Sequence, residues 1–359
     1  MIKVGNSALF RINRLRETNM STIRDVASLA GVSAATVSRV INHDTTYKMT
    51  EETIEKVWRA VAELNYKAPS SSKEQMRRVR RAASPTTVIN KLGCILNIQG
   101  SKYNDPYYLT ILSSFEKAVM ERGFELSFIR TIEELKNSQV LYKTFEKPIS
   151  GLIIMNTLTP DTYAFVRDRT PHIVGIDTSY RDIDNVAFDH YDASFQAISH
   201  LVSKGYRRIG FIGGYMEHMS VSRRFNGYFA ALHRYGLEFN PDWVLPSHWD
   251  EDFLAERIAE AHKKNKLPDA FFAVSDHMAI GALRAFYDLG IKVPEEMAVV
   301  GLSNIELSRY SNPPLTTISI PIPEMGRVAA NVLFERMAGD DTPPRTVVLG
   351  CELLERSST

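Results

Sequence analysis

Residues 25 to 42, DVASLAGVSAATVSRVIN, place two helical periodicities on either side of one glycine, a pattern that commits the chain to a tight corner between two short helices. Ile23, Val26, Ala27 and Ala30 fall on one helical face, and Gly31 follows where a helix end favours a left-handed residue. Ser33 offers a capping hydroxyl to a second helix, Ala34 to Ile41, in which Val37, Val40 and Ile41 point inward while Ala35, Thr36 and Arg39 point outward. Thr50, Glu51 and Glu52 open a third helix, whose Ile54, Val57, Trp58, Val61 and Leu64 close a small core. The second helix keeps one face for the core and one for a partner, the arrangement of a helix-turn-helix in the DNA major groove. A plain amphipathic hairpin has the same spacing.

Charge is divided along the chain. Residues 1 to 83 carry 15 Lys/Arg against 8 Asp/Glu, and the remainder carries 28 against 34, so the overall balance of +1 conceals a basic N-terminal part. Lys73, Arg77, Arg78, Arg80 and Arg81 stand in a stretch with one acid, Glu74, which suits phosphate neutralisation or, without DNA, a solvated linker.

A chain of 359 residues is expected to form two or three domains. Its apolar fraction, 44%, is that of a globular protein, and no apolar run approaches the roughly 18 residues a membrane span needs. The expected location is therefore the cytoplasm. Cys94 and Cys351 are the only cysteines, which points to buried small hydrophobes and to neither a disulfide scaffold nor a metal site. Met20 opens MSTIRDVA, so residues 1–19 are read as a disordered or misassigned extension, 20–68 as the helix-turn-helix domain, 69–90 as a basic hinge and 91–359 as a two-lobed ligand-binding and dimerisation domain.

That last assignment rests on a change of pattern near Leu92. LGCILNI, FELSFIR, GLIIMN, HIVGID, RIGFIGG, AFFAVS and MAVVGLS read as buried strands, separated by amphipathic helices at 107–122, 193–204, 222–235, 252–264 and 277–289. The expected fold class is α/β: a three-helix N-terminal domain followed by two lobes with parallel sheets, the ligand lying beyond the carboxyl ends of the strands.

The N-terminal run, ELNY at 63–66, IGFIGG at 209–214, SDHMAIGAL at 275–283 and PPLTTI at 313–318 stand in the order seen in the LacI/GalR transcription regulators, which the chain resembles from Ser21 to about Leu354. The resemblance implies a homodimer, a palindromic operator in double-stranded DNA, no cofactor, no catalytic residue and a sensor related to periplasmic sugar-binding proteins. YKAPSS, NDPYYL at 104–109 and SNI at 303–305 resemble a subgroup governing β-galactosidase expression, which implies a galactoside effector.

On that resemblance Ala34, Ala35 and Arg39 match base-reading positions, and Thr22, Ser33, Thr36, Ser38 and Asn42 match phosphate contacts. The chemistry agrees for Arg39, whose fork fits guanine O6 and N7; the two alanines offer methyl contact to thymine or are simple helix formers. The hinge departs from the family's Tyr-x-Pro-Asn. Aligning Pro69 one residue late places Met76 at the minor-groove wedge, with Val79 as the alternative. For the effector, Tyr107, Tyr108, Asp177, Ser220, Arg224, Trp249, Asp276 and Ser303 match cleft positions, with His218 near them. Tyr107 and Tyr108 also read as lobe core, and Asp276 as a helix cap. Where the family has Gly-Tyr-Asp-Asp this chain has Gly301, Leu302, Ser303 and Asn304, so a carboxylate is missing.

These readings converge on a repressor of carbohydrate genes, released from DNA by a sugar. A co-repressor type that binds DNA only with ligand or a partner protein is the rival within the family; a transport protein or an α/β enzyme is the rival outside it. GFIGG lacks the spacing of a dinucleotide fingerprint.

Overall fold

The computed structural model describes residues 21–41, 49–64, 66, 91–98 and 105–359. Residues 1–19, Asn42, the 69–90 segment with Met76 and Val79, and the side chain of Ser220 lie outside that description. The chain divides into two compact units, Met1–Gln99 with Leu126–Leu152 and Leu158–Pro171, and Gly100–Glu125 with Ile153–Thr157 and His172–Thr359.

In the first unit, helix α1 (Ile23–Ala30) starts at a reciprocal cap: Asp25 N–H donates to the Thr22 hydroxyl, and Thr22 N–H returns a 2.7 Å bond to the Asp25 carboxylate. It ends at Gly31, whose φ of 67° lies in the left-handed region. Helix α2 (Ala34–Ile41) starts at Ser33, which accepts from Thr36 N–H at 3.0 Å, and helix α3 (Glu51–Glu63) at Thr50. Val26, Val37, Val57 and Val61 are wholly buried between them, with Trp58 and Tyr66. So small a core is marginal by itself. It is extended by a later segment of the same unit, helix α6 (Ser138–Thr144), which follows the single turn α5 (Ile132–Leu135). Tyr142 sets its ring 5.0 Å from that of Trp58 and donates to the Tyr66 carbonyl, while Ser138 donates to Glu55 at 3.0 Å.

Beyond Lys91 the chain alternates strand and helix: β1 (Lys91–Leu96), α4 (Pro106–Met120), β2 (Glu125–Thr131), β3 (Gly151–Met155), α7 (Pro160–Arg167), β4 (Ile173–Ile176), β5 (Asp184–Phe188), α8 (His190–Ser203), β6 (Ile209–Gly213), α9 (Arg223–Arg234), β7 (Val244–Pro246), α10 (Glu251–Lys263), β8 (Ala270–Ala273), α11 (Asp276–Asp288), β9 (Ala298–Ser303), β10 (Thr316–Ser319), α12 (Ile322–Met337), β11 (Thr346–Leu349) and β12 (Glu352–Leu354). Two six-stranded sheets result, ordered β11-β5-β4-β3-β1-β2 and β12-β10-β9-β8-β6-β7. In the second sheet β7, β6, β8, β9 and β10 are parallel, with Phe211 opposite Phe272 and Leu302 opposite Ile318; only β12 runs antiparallel. The seven strands read from sequence are all present; each of them except β2 is almost wholly buried, as parallel strands covered on both faces must be.

Two close approaches fix the helices of the second unit. A Cβ on Gly227 of α9 would run into the Tyr191 carbonyl of α8, and one on Gly326 of α12 into the Ile111 carbonyl of α4. A charged fork holds the edge of the first sheet: Arg336 Nε and Nη2 reach the two Asp184 oxygens at 2.5 and 2.9 Å, and Arg345 N–H adds a third bond at 2.9 Å. Burial alone would push the Asp184 carboxyl up, but this fork and the Arg345 amide outweigh it and hold it below the usual carboxylate range. Arg336→Met strands a carboxylate that is 2% exposed, and is expected to lower unfolding free energy by about 3–5 kcal/mol in urea titrations. An unchanged midpoint would show that the fork is not structural.

Candidate functional site

Helix α2 presents Ala35 fully exposed, and Ala34, Thr36, Ser38 and Arg39 half-exposed beside it. Thr22 and Ser33 are exposed at the first turns of α1 and α2, where their hydroxyls are spent on caps; Ser33 also bonds the Thr36 hydroxyl at 2.8 Å. The residues matched to DNA are thus solvent-accessible, and Thr22 and Ser33 each stand at a helix N-terminus, where backbone N–H groups suit an anion.

The effector candidates lie in the second unit, where parallel strands end. Asp177 follows β4 with φ of 53°, Arg224 is in the first turn of α9, and Tyr107 opens α4 behind the Asp105 cap. They form one line of hydrogen bonds. Tyr107 donates to Asp177 Oδ2 at 2.8 Å, His190 Nε2 lies 3.1 Å from Asp177 Oδ1, and Arg224 Nε lies 3.1 Å from His190 Nδ1. Burial, then the adjacent Asp177 charge, pushes the Tyr107 phenol well up, so it remains a donor. Tyr108 stands edge-on to Tyr107 at 5.1 Å, accepts from Asn156 Nδ2 at 2.7 Å, and is pushed up to about 12 by burial.

Arg224 also belongs to a cavity of about 160 Å³ lined by Phe211, Tyr215, His218, Met219, Ser222 and Trp249 among others. Trp249 is 44% exposed, and its indole packs on Gly214 so closely that a Cβ there would strike it. His248 and Trp249 both hold positive φ, 52° and 60°, a strained pair that places the indole at the cavity. His248 in turn stacks on Tyr215 and Phe253, at 5.1 and 4.3 Å between ring centres.

One expectation is corrected. Asp276 is not the cap of α11: Ser275 caps that helix, and the Asp276 carboxylate, with no exposed surface, takes Thr317 Oγ1 on one oxygen and Ile305 N–H at 2.9 Å on the other. Ser303 is 5% exposed, at the end of β9 with φ of 123°. The amide of Asn304 is likewise committed, to Arg356 at 2.7 Å and Ser319 at 3.2 Å. His190, Asn156 and the His248 stack went unnoticed in the sequence. For His190 the signal was its place immediately after the buried strand NVAF and the cap Asp189, the same strand-end position that singled out Asp177.

Burial raises the Asp276 carboxyl to about 6, against the opposing bonds from Thr317 and Ile305. Its folded state therefore binds the proton more tightly than the unfolded chain does, so its contribution to stability is full below about pH 4 and is lost as pH rises toward 6. Asp276→Asn should remove that slope. Unfolding free energies measured from pH 4 to pH 7 should show the wild type losing ground to the variant as pH rises, and parallel curves would refute the assignment.

Comparison with known proteins agrees with both halves of this geometry. Residues 22–69 match the family described as bacterial regulatory proteins, lacI family, and residues 198–359 match the periplasmic binding protein-like domain. The chain is 31% identical over 345 residues to the HTH-type transcriptional repressor PurR of Actinobacillus pleuropneumoniae serotype 3 (strain JL03), covering 94% of this chain and 98% of that one. It is 33% identical over 328 residues to PurR of Haemophilus influenzae (strain PittEE), covering 90% and 93%. Among solved structures, the transcriptional regulator CelR in complex with cellobiose superimposes with a TM-score of 0.70 at 27% identity, over 94% of this chain and all of that one. The lac repressor dimer bound to operator and the anti-inducer ONPF has a TM-score of 0.64 at 24% identity, over 95% and 99%, a likeness of fold. Likeness over nearly the full length, joined to a capped helix-turn-helix and a two-sheet sensor, makes this chain a member of the lacI family of bacterial regulatory proteins, a DNA-binding transcriptional repressor.

Proposed function

We propose that the protein is a homodimeric repressor of carbohydrate genes that leaves a palindromic operator when a galactoside occupies its sensor. Residues 20–68 read the DNA, 69–90 form the hinge with Met76 as the minor-groove wedge, and 91–359 bind effector and pair the subunits. Arg39 grips guanine, Ala34 and Ala35 meet thymine methyls, and Thr22, Ser33, Thr36, Ser38 and Asn42 hold phosphates. Tyr107, Tyr108, Asp177, Ser220, Arg224, Trp249, Asp276 and Ser303 form the sugar site.

The observation that carries the effector class is the internal balance of the site. Asp177 and Arg224 are joined through one imidazole, so acid and base offset each other, and a neutral polyhydroxylated ligand adds no unpaired charge. A half-exposed indole beside the arginine supplies the flat apolar face a sugar ring needs. The cellobiose in the CelR structure supports a sugar as well. We infer binding without turnover from membership of a family of regulators, and lactose incubated with the protein should be recovered unchanged.

Fluorescence anisotropy on a duplex from the region upstream of the gene, at fixed salt with lactose and galactose titrated in, tests this reading. Release by either sugar is expected. Tightening would establish the co-repressed type, and tight binding without response would exclude a galactoside. Arg39→Ala should weaken the DNA complex by about 1–3 kcal/mol and relax specificity at one base pair. Thr36→Val should instead weaken all sequences evenly.

A further inference from the structure

The line from Tyr107 to Arg224 has a direction fixed by chemistry. The Arg224 Nε–H can only donate, so His190 Nδ1, 3.1 Å away, must present a lone pair. The single proton of a neutral imidazole then sits on Nε2, where Asp177 Oδ1 accepts it at 3.1 Å. The carboxylate's other oxygen takes the Tyr107 phenol. Donors therefore run from Arg224 to His190 to Asp177, with Tyr107 closing the far end. The imidazole is held in plane by more than its hydrogen bonds: its ring packs 3.8 Å from that of Phe188, and its side chain is 15% exposed.

We propose that His190 is a positioning residue of the effector site, aiming Arg224 through its Nε and thereby leaving the two terminal guanidinium nitrogens to meet the ligand. The inference rests on the reading of this cluster as the effector site. A guanidinium held at Nε alone is oriented without losing its fork, which is the part that pairs with vicinal hydroxyls. Holding the arginine by Asp177 directly would have consumed both charges; an interposed neutral ring transmits orientation and keeps them apart.

Protonation would undo the arrangement. A proton on Nδ1 would face the Arg224 N–H and set a second positive charge beside it. The charged groups that act on the ring are Asp177 after β4 and Arg223 and Arg224 on α9; one step further out, Asp189, the cap of α8, bonds Arg223, while Tyr107 on α4 and Cys351 ahead of β12 feel Asp177. Burial, helped by the two arginines, holds the imidazolium below the ordinary histidine range despite the Asp177 bond, and the Cys351 thiol is pushed up to about 12 and stays neutral. Arg224 is thus correctly held at neutral pH and released on acidification.

The test uses two readouts on the full-length protein. Lactose affinity is measured by calorimetry for the wild type, His190→Leu, His190→Asn and His190→Gln. Leu should weaken binding about tenfold or more, the cost of leaving a bond to a charged group unmade. Asn keeps an acceptor at the Nδ1 position and should recover much of the loss, whereas Gln keeps the Nε2 donor and should not. Wild-type affinity should fall as the pH is lowered beneath the ordinary histidine range, while that of His190→Asn stays flat. The second readout needs no ligand: long-range proton–nitrogen spectra of histidine-labelled protein should show His190 as the neutral Nε2–H tautomer at pH 7, and Arg224→Leu should convert it to a mixture. If lactose binds no form, the galactoside reading fails, and the tautomer experiment still decides the role of His190. An Nδ1–H tautomer, or one indifferent to Arg224→Leu, overturns the proposal, as does wild-type lactose affinity in His190→Leu.

Discussion

A carboxylate withdrawn from water must be met by donors, and around Asp276 that requirement organises the carboxyl end of the second sheet. Its two oxygens tie the first residue of α11 to β10 through Thr317 and to the turn after β9 through Ile305 N–H. Gly301 lies so close beneath the carboxylate that any side chain there would displace it. The turn so pinned contains Ser303 and Asn304, both at positive φ, and Arg356 locks it from the other side with bonds to Asn304, Ser308 and the Leu315 carbonyl. Strain of this kind persists only where its surroundings over-determine it. The floor beneath the candidate site is thus rigid for an electrostatic reason, and the neighbouring strand ends inherit that rigidity.

The same principle, satisfied differently, shapes the cluster around His190. Asp177 and Arg224 are not paired directly but through His190, so the polar groups are fixed while their outward atoms stay available for exchange with a bound molecule. Absence of a carboxylate at position 303 shifts hydrogen-bonding capacity to this side. An effector would be gripped by one charged line and one indole, with the β9 turn serving as support.

Much of this was legible in the sequence because the signals are local. Caps at Thr22, Ser33 and Thr50, the left-handed Gly31, and the apolar faces of three helices depend on neighbours within a few residues, and they fall where expected. Buried strands announce themselves as apolar runs, which is why β1, β3, β4, β6, β8 and β9 could be read, whereas β5, whose buried DNVAF opens on two polar residues, and the short strands β7, β10, β11 and β12 could not. Asp276 was misread because a Ser-Asp pair at a helix start offers two possible caps; Ser275 took that role, and where the aspartate then turned depended on Thr317, forty-one residues away. Long-range partners of this kind leave no periodic trace. His190 has a local signal in its strand-end position, but its role depends on Asp177 and Arg224, which are thirteen and thirty-four residues away.

The three-helix body poses the inverse problem: its core is complete in pattern but small in size. Val26, Val37, Val57 and Val61 carry no exposed surface, yet a cluster of this size leaves large aromatic surfaces at its edge. Within its unit the chain covers Trp58 with Tyr142 and ties the Tyr66 carbonyl to the same phenol, so one side chain some eighty residues downstream meets both an apolar and a polar need. The third helix therefore packs against α1 and α2 within the three-helix body and against α6 outside it. The hydrogen bond from Ser138 to Glu55 adds little energy at a half-exposed position, but it fixes which turn of α3 meets α6. Packing supplies the stability of this contact and polarity its register.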